Sequence, residues 1–398
     1  MRIAIFADNF YPELSGIADT ILTIGKELAK RGHQITYFVP RYTKKEFNIA
    51  KVAYKELPLC KNITIKRINS FGYPTATKQG RGTLPNIFRG FFYRNKFDAV
   101  HTHSFFTLGI EAYCFAKINR IPLIGTNHTI IESFLEFTPS PIRKYLPKYL
   151  IWFYNRCLYI TTPSKFLLEK MKKEGLAVDS EVISSPIEKK FFISELEKDK
   201  LQKLKEKKKF KFLYVGRFSP EKNVEIIIDA FNDFLKRNNY PDTELILIGN
   251  GVLKNSLQNK IKNYNLENNV KIKGPFMGET KNLLYAEFNL ADVFITASFS
   301  ETQSMVLLQS MASTMPALAA NSGPLPKLVE NNRGLIFNQN DKKEISNAMQ
   351  KIYFNIDLRK KMANNAYNYA TKYSAKNITA IWEKLYKTII KKYGNKAK

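Results

Sequence analysis

Short apolar runs alternate along this chain with longer segments whose apolar residues recur at helical spacing. The run RIAIFAD at residues 2–8 predicts a buried strand, and residues 17–31 follow with Ile21, Ile24 and Leu28 on one helical face. The further strands predicted in this half are QITYFVP, KNITIKRI, FDAVHTH and IPLIGTNH. Strands separated by helices imply right-handed crossovers and a parallel sheet.

The same alternation restarts in the second half of the chain. Its predicted strands are KFLYVGRF, ELILIGN, NVKIKGPF, DVFITAS and PALAAN. Two such series predict an α/β protein with two Rossmann-like, doubly wound domains. We place the domains at residues 1–185 and 209–374, joined by a linker at 186–208 that includes the charge-dense run ELEKDKLQKLKEKK.

A predicted helix in the segment 375–398 completes the chain. Its apolar residues fall on one face and are Ile378, Ile381, Trp382, Leu385 and Ile389. This face is a candidate for packing across the junction between the domains.

The net charge is the most unusual bulk property of the chain. It is +28 over 398 residues, while the hydrophobic content of 44% is typical of a globular protein. Such an excess predicts attraction to nucleic acid, acidic lipid or phosphorylated ligands. The alternative is that it only reflects a composition rich in Lys, Asn, Ile and Phe.

Cysteine usage and hydropathy indicate a cytoplasmic protein. Cys60, Cys114 and Cys157 have no metal-ligand spacing, and their odd number disfavours a disulfide framework. Asp8 and Asn9 interrupt the first apolar run, so it does not resemble a signal peptide. Because no run approaches the roughly 18 apolar residues of a membrane span, we expect any membrane contact to be peripheral.

The most informative segment is SETQSMVLLQSM at residues 300–311, which follows a predicted buried strand. Here a polar turn with Glu301 leads into an apolar helix, whose N-terminus would point at a ligand above the strand. The backbone amides that could hold a phosphate are those of Gln303, Ser304 and Met305. Because the Glu301 carboxylate can bind hydroxyl groups, phosphate and hydroxyls together suggest a sugar nucleotide.

Two further loops follow predicted strands. In VGRFSPEKN the strand ends at Gly216, and the cations Arg217 and Lys222 suit a pyrophosphate leaving group. The alternative for the cations is that they are solvated surface charges. In YPELSGIAD, Gly16 allows the backbone to approach a ligand, although a loop glycine required only for its dihedral angles is an equal alternative.

Three of the four histidines lie near the ends of two predicted strands. His128, next to Thr129 in LIGTNHT, could bond to a sugar hydroxyl as a neutral imidazole. His103 in VHTHS is a similar candidate, whereas His101 is better explained as a satisfied core histidine. We discount a metal at this HxH pair, because no carboxylate or cysteine follows at ligand spacing.

These segments together resemble the retaining glycosyltransferases of family 4, which have the GT-B fold. The resemblance rests on the order of the early glycine loop, GHQITYFVP, VHTHSFFTLG, TNHT, VGRFSPEKN, GNGVL and the Glu301 turn. It implies two Rossmann-like domains that face each other across a cleft. It also implies that the C-terminal domain holds most of the nucleotide sugar, that the N-terminal domain binds the acceptor, and that no metal or other cofactor is required.

The resemblance also implies roles for individual residues. Arg217 and Lys222 would neutralise the diphosphate, and Glu301 would hold the transferred hexose. His128 would bond the sugar and help to place the acceptor, while Gly16 would approach the phosphate.

This chain departs from the family pattern at several positions. Gln309 stands where the family usually has a second Glu that binds the ribose, and its alternative role is an ordinary helix-surface residue. Thr314 stands where a glycine is usual. These departures leave a degenerate enzyme as an alternative.

Within the family, the ETQ turn and the LSGI loop look most like glucosyltransferases that act on diacylglycerol, which are basic and sit on anionic membranes. An acceptor and membrane side would then comprise His103, Thr129, Arg143, Lys144, Lys148 and Trp152. Residues 143–156 interleave cations with aromatics and form a candidate interfacial patch, although the aromatics are equally explained as core residues. Arg81, Arg89 and Arg94 are candidates for extending this patch.

The sequence thus predicts a retaining transferase that moves a hexose, in the first instance glucose from UDP-glucose, to the hydroxyl of a membrane lipid such as diacylglycerol. It would sit on the inner face of the cell membrane, with a nucleotide sugar, a lipid acceptor and the anionic surface as partners. The alternatives are a soluble or polysaccharide acceptor, a sugar-nucleotide 2-epimerase and a charge-driven nucleic-acid-binding protein. The last is disfavoured because the lysines are dispersed and no aromatic RNA-binding motif occurs.

Overall fold

The chain divides into two compact units, as a computed structural model shows. The residues that the structure describes are 1–13, 15–73, 79–130, 143–194, 197, 209–238 and 242–394. Unit 1 comprises Met1–Pro186 and Ala375–Lys398, and unit 2 comprises Ile187–Ser374. Residues 187–194, placed in the linker above, instead belong to unit 2, because Ile187 and Phe191 are buried in its core. Most of the remaining linker, 198–208, lies outside the described residues.

Unit 1 is built on a parallel sheet with an antiparallel ribbon beside it. Its strands are β1 (Arg2–Phe6), β2 (Gln34–Pro40), β3 (Ile63–Ile68), β4 (Ser70–Gly72), β5 (Arg81–Thr83), β6 (Ala99–Thr102), β7 (Leu123–Thr126), β8 (Tyr159–Thr162) and β9 (Ser180–Val182). The sheet has the order β3-β2-β1-β6-β7-β8-β9, and β4 pairs only with β5. In β1 all residues after Arg2 are buried, which is why it reads as an unbroken apolar run.

Helices cover the sheet of unit 1. They are α1 (Gly16–Lys30), α2 (Lys44–Ala50), α3 (Arg89–Phe92), α4 (Thr107–Asn119), α5 (Leu146–Tyr154), α6 (Lys165–Lys173) and, from the far end of the chain, α14 (Ala375–Gly394). The side chain of Ser15 caps α1 by accepting a hydrogen bond from the Ile17 N–H. Gly32, at a φ of +85°, ends the segment in the left-handed region that favours glycine.

Unit 2 contains a second parallel sheet. Its strands are β10 (Phe210–Val215), β11 (Thr243–Ile248), β12 (Val270–Lys273), β13 (Val293–Thr296), β14 (Ala317–Ala320) and β15 (Gly334–Phe337). Its helices are α7 (Val224–Asn238), α8 (Lys254–Asn263), α9 (Lys281–Leu290), α10 (Met305–Ala312), α11 (Leu325–Val329), α12 (Lys342–Phe354) and α13 (Ile356–Ala370). The order β12-β11-β10-β13-β14-β15 reverses direction between β10 and β13.

The fold class predicted from the sequence is confirmed, since both sheets are parallel and doubly wound. The prediction missed β8, β9 and β15 and the β4–β5 ribbon. These are edge or short strands of three or four residues, and such strands lack the long apolar run of a strand buried on both faces.

Helix α14 packs against α1 of unit 1. Trp382 is 2% exposed and Tyr386 is fully buried, and both contact His101 of β6. The prediction of its apolar face was wrong at Ile381, which is 45% exposed. Ile381 lies on the exposed face of the helix, although the next residue, Trp382, is buried.

We expect Trp382→Ala to lower the free energy of unfolding of unit 1 by about 3–5 kcal/mol, because it leaves a large cavity between α14 and the sheet. The measurement is guanidinium unfolding followed by the fluorescence of Trp152, the other tryptophan of the chain. The matched control is Ile381→Ala on the same helix, which should change stability by less than about 1 kcal/mol. Equal effects of the two substitutions would show that α14 is not anchored by Trp382.

Candidate active site

The candidate site in unit 2 lies where the strand order reverses. Strands β10 and β13 are neighbours, with Phe212 opposite Val293. The chain leaves β10 towards one side of the sheet and β13 towards the other, so a crevice opens between their carboxyl ends. Lys222 lies in the loop after β10, and Glu301 lies in the loop after β13.

Lys222 joins these two loops. Its ammonium Nζ lies 2.7 Å from Glu301 Oε1, 3.2 Å from the Ser300 carbonyl oxygen and 3.4 Å from Ser298 Oγ. Both side chains of the ion pair are largely buried. Because an ammonium group has three donors, these contacts fix Lys222 beside Glu301. The structure therefore places a cation and a carboxylate next to each other, as binding to both phosphate and hydroxyl groups requires.

Arg217 lies in the same loop but is held less firmly. Its Nη2 is 3.4 Å from Glu221 Oε1, and its side chain is 44% exposed. Such an exposed pair contributes little, so a competing phosphate can take the guanidinium at low cost. The backbone of Arg217 is positioned by Tyr214, whose buried hydroxyl donates to its carbonyl at 2.9 Å. Burial, and then the charges of Glu301 and Glu221, raise the pKa of Tyr214 well above its usual value.

Helix α10 begins beside Glu301 without a side-chain cap. Ser304 precedes it at a φ of +65° and makes no capping hydrogen bond. Gln303 and Ser304 are buried, and Met305 opens the helix. The first N–H groups of a helix have no intrahelical partner, and they can bind an anion. Gln309 is also buried, which rules out the alternative that it is an exposed helix-surface residue.

The C-terminal end of α10 explains why a glycine is usual at the position of Thr314. The N–H of Met315 donates to the Ser310 carbonyl and the N–H of Thr314 to that of Met311, both at 3.1 Å. These bonds form a Schellman motif with Thr314 in the left-handed region at a φ of +52°. The structure thus gives the reason why a glycine is expected here. A buried hydrogen bond from the Thr314 hydroxyl to the Ile193 carbonyl stabilises threonine at this position.

Glycines of the GNG segment support the loop that carries the cations. A Cβ on Gly249 would lie 1.9 Å from the carbonyl oxygen of Gly216, and one on Gly251 would lie 2.3 Å from that of Phe218. The Phe218 N–H also donates to the Asn250 carbonyl at 2.9 Å. Sequence reasoning used this segment only as part of a family pattern, and its supporting role appears only when the two loops are seen in contact.

Gly16, the first predicted ligand-facing glycine, begins α1 in unit 1. Its φ lies outside the left-handed region, and a Cβ built on it would meet nothing within 4 Å. Its dihedral angles therefore do not require glycine, and the alternative given above is wrong. Open space in front of the backbone is what close approach of a ligand requires.

The histidines meet at the carboxyl ends of β6 and β7. His103 Nδ1 lies 2.8 Å from His128 Nε2. His101 bonds to the Tyr386 hydroxyl at 2.6 Å and to Thr126 Oγ1 at 2.7 Å, which confirms it as a satisfied core histidine. Burial lowers the pKa of His128 to about 4 and that of His103 well below its usual value. Both rings are therefore neutral at pH 7, and Thr129 follows them, half-buried.

The predicted interfacial patch, residues 143–156 in and around α5, divides into two parts. Arg143, Lys144 and Lys148 are exposed, and Trp152 is 44% exposed beneath the guanidinium of Arg156, 3.6 Å away. The aromatic residues on the other face are core residues: Phe153 and Tyr154 are buried. The core interpretation therefore holds for one face of the helix, while the other face is exposed and its interfacial role stays a prediction.

The structure reveals a second exposed patch that sequence reasoning missed. Its members are Leu84, Ile87, Phe88, Phe91 and Phe92, and we call it the phenylalanine patch. Phe88 is 62% exposed and Phe92 is 73% exposed. The signal in the sequence was GTLPNIFRGFFYRN, but we considered only its cations.

Arg81 and Arg89 both bond to other residues of unit 1. The expectation that they extend an interfacial patch was therefore wrong. Arg81 donates to the Ser70 carbonyl at 2.7 Å, and Arg89 forms an ion pair with the fully buried Glu111. Only Arg94 of the three is exposed among the described residues. The Glu111 carboxylate also accepts from the Asn86 N–H at 2.8 Å, so it anchors the segment that carries the patch.

Two features are absent from the described residues. No group of three or more His, Cys, Asp or Glu side chains there has an arrangement that could hold a metal ion. Within the same part of the chain, no helix has the length and apolar character needed to cross a bilayer.

Comparison with protein families places the two units in one class. Residues 14–190 match the model described as Glycosyltransferase Family 4, and residues 196–369 match that of Glycosyl transferases group 1. An alpha-monoglucosyldiacylglycerol synthase of Streptococcus pneumoniae is 29% identical over 83% of this chain and 73% of its own length. A synthase of the same name from Acholeplasma laidlawii is 26% identical over 100% and 99% of the two chains.

A solved structure gives the same fold at low sequence identity. Anabaena HepE in complex with UDP-glucose superimposes with a TM-score of 0.73 at 18% identity, over 97% of this chain and 99% of that chain.

We expect Gly251→Ala to destabilise unit 2 by about 1–3 kcal/mol, because the methyl group would collide with the backbone of Phe218. Differential scanning calorimetry measures this, and hydrogen exchange should show faster exchange in the loop at 216–222. The neighbouring Val252→Ala, at an exposed side chain, serves as the control and should leave both unchanged. An unperturbed loop in the Gly251 variant would contradict the supporting role of this glycine.

Proposed function

The chain belongs to the GT-B glycosyltransferases, with a family 4 domain followed by a group 1 domain, and we propose that it transfers glucose from UDP-glucose to a hydroxyl of diacylglycerol. The observation that carries this proposal is the Lys222–Glu301 pair beside the uncapped start of α10. Cation, carboxylate and the first amides of α10 meet at the switch point of one sheet, where a sugar nucleotide would offer phosphate and hydroxyl groups.

The proposed chemistry relies on stabilising a leaving group rather than on a strong base. As the bond from the anomeric carbon to the diphosphate breaks, negative charge grows on the phosphate oxygens. Lys222, Arg217 and the amides of α10 would take up that charge, while Glu301 holds the hexose. The leaving phosphate would accept the proton of the attacking hydroxyl on the same face, so the α configuration is kept. This scheme requires no metal.

The identity of the donor is supported by the neighbours. The HepE complex contains UDP-glucose, and the names of the two similar synthases specify a monoglucosyl product. Within unit 2, Gln309 would face the ribose as a neutral amide, which retains hydrogen bonding without charge.

The lipid acceptor is supported by the same names and by the surface of unit 1. The phenylalanine patch exposes large apolar side chains of a kind that usually mark an interaction site. Close to it in the sequence, Arg94 and Lys96 are exposed, and the segment 144–152 of the same unit contributes Lys144, Lys148 and Trp152. Apolar side chains with cations at their border fit an anionic membrane surface, where each cation contributes roughly 1 kcal/mol. We therefore propose peripheral attachment through this face of unit 1.

In the decisive assay, the protein is incubated with UDP-glucose and anionic vesicles containing diacylglycerol, with EDTA present. We expect mass spectrometry to detect a monoglucosyl lipid, and NMR to show its α anomer. Lys222→Ala and Glu301→Ala should each reduce turnover at least roughly tenfold, because each removes a charged contact in a water-poor site.

The matched control for these variants is Lys327→Ala, which breaks an exposed pair with Glu330 in the same unit. It should retain full turnover. Calorimetry of all three variants separates loss of chemistry from loss of folding. Wild-type rates in both site variants would overturn the site, and a glycosylated soluble product without glycolipid would overturn the acceptor.

Attachment is tested with the triple variant Phe88→Ser, Phe91→Ser and Phe92→Ser. We expect its co-sedimentation with vesicles containing phosphatidylglycerol to fall at least roughly tenfold, because three aromatic side chains no longer enter the apolar layer. The control replaces three exposed apolar residues of unit 2, Val252, Leu283 and Ile356, by serine. Should both triple variants bind alike, the phenylalanine patch is not the attachment surface.

A further inference from the structure

Asp8 occupies the switch point of the sheet in unit 1. It follows β1, and its N–H donates to Ser104 Oγ, which follows β6, at 2.6 Å. Strands β1 and β6 are the neighbours between which the strand order of this sheet reverses. Asp8 therefore stands in unit 1 where the ends of β10 and β13 place Lys222 and Glu301 in unit 2.

The carboxylate of Asp8 accepts hydrogen bonds from Ser104, Thr107 and the Leu108 backbone, but one of its oxygens is left over. Its Oδ1 is buried and has no hydrogen-bond partner among the described residues. An ionised carboxylate offers about four lone-pair sites to donors, and a buried oxygen without a donor is costly. The residue as a whole is half-buried, although Oδ1 itself is covered. These facts describe a carboxylate with room for one further hydrogen-bond donor at Oδ1.

The pKa of Asp8 is raised to about 6, mainly by burial and to a lesser extent by the nearby charge of Glu111. Hydrogen bonds from Ser104, the backbone of Leu108 and Thr107 act in the opposite direction. The charge of Asp8 is in turn felt by three tyrosines, whose pKa values it helps to raise: Tyr73, Tyr149 and Tyr154. An ionised Asp8 at neutral pH thus opposes folding, and such a cost is typical of a functional group.

A purely structural role is the main alternative. Helix α4 begins after Phe106, which provides no side-chain cap, and the Asp8 carboxylate lies near the Leu108 N–H of its first turn. Asparagine could accept that hydrogen bond equally well without a buried charge. A capping role therefore explains a polar residue here but does not explain a carboxylate with an unpaired oxygen.

We propose that the Asp8 carboxylate binds the hydroxyl group of the lipid acceptor, an inference that rests on the proposed function. A negative group is unsuited to the diphosphate of the donor, whereas a hydroxyl donates to it directly. Other polar groups at this edge of the sheet include Ser104 and the neutral imidazoles of His103 and His128, which also suit hydroxyl groups. Asp8 orients the nucleophile, and the leaving phosphate still takes its proton.

The test compares wild type with Asp8→Asn, which keeps the size and the capping oxygen. With dioctanoylglycerol varied at saturating UDP-glucose, we expect kcat/KM for the acceptor to fall at least tenfold. The KM for UDP-glucose, and its slow hydrolysis without acceptor, should stay within twofold. The decline of wild-type activity below about pH 6 should be absent from the variant, because the titrating carboxyl group has been removed.

Stability gives an independent measurement. Because the folded-state pKa of Asp8 is raised, the wild type loses stability as the pH rises through about 6. Asp8→Asn should therefore increase the melting temperature of unit 1 at pH 8 more than at pH 5. The control Asp179→Asn, at an exposed aspartate of the same unit, should change neither kinetics nor stability.

Acceptor binding, followed by tryptophan fluorescence, separates this inference from the proposed transfer. Dioctanoylglycerol should bind wild type at least tenfold more tightly than Asp8→Asn, whether or not transfer occurs. Unchanged acceptor affinity and kinetics in the variant would overturn the inference and leave only the capping role. A loss confined to UDP-glucose, or a wild type that does not bind the diglyceride, would also overturn it. A wild type that binds without forming glycolipid would contradict the proposed function alone.

Discussion

The ion pair between Lys222 and Glu301 is the contact that holds together the candidate site of unit 2. Parallel strands whose order reverses send their loops apart, and Lys222 bridges the resulting gap by bonding to three groups of the loop after β13. A largely buried pair gains little net stability, because desolvation offsets its attraction. Its value lies in geometry. It holds opposite charges 2.7 Å apart, so that one ligand can present a phosphate to the first and hydroxyls to the second.

Unit 1 repeats this topology with different chemistry. At the ends of its central strands stand Asp8 and the hydrogen-bonded imidazoles of His103 and His128, rather than cations. One helix organises much of this side: the first turn of α4 lies beside Asp8, and Glu111 in its middle anchors the segment that carries the phenylalanine patch. The same helix therefore contacts both features of unit 1.

The sequence predicted the central strands well because burial on both faces leaves an uninterrupted apolar run, as in β1. It also predicted that Lys222 and Glu301 lie in loops at strand ends, since each loop directly follows such a strand. It failed where the outcome depends on partners distant in the chain. The partner of Arg89 is Glu111, on another helix, and nothing local marks that pairing. Phe88 and Phe92 read as core residues by type, and only the packing of α3 on α4 shows that they face outward.

The departures from the family pattern are consistent with a working site rather than a degenerate one. Thr314 adopts the left-handed conformation that a glycine would take, at a cost of order 1–2 kcal/mol, and its hydroxyl bonds to the Ile193 carbonyl in partial compensation. Gln309 is buried, and a carboxylate there would need a charged partner or a donor to offset its desolvation. A neutral amide avoids that cost and still offers hydrogen bonds. Both changes leave the Lys222–Glu301 pair and the start of α10 intact, so the groups that would stabilise the leaving phosphate are retained.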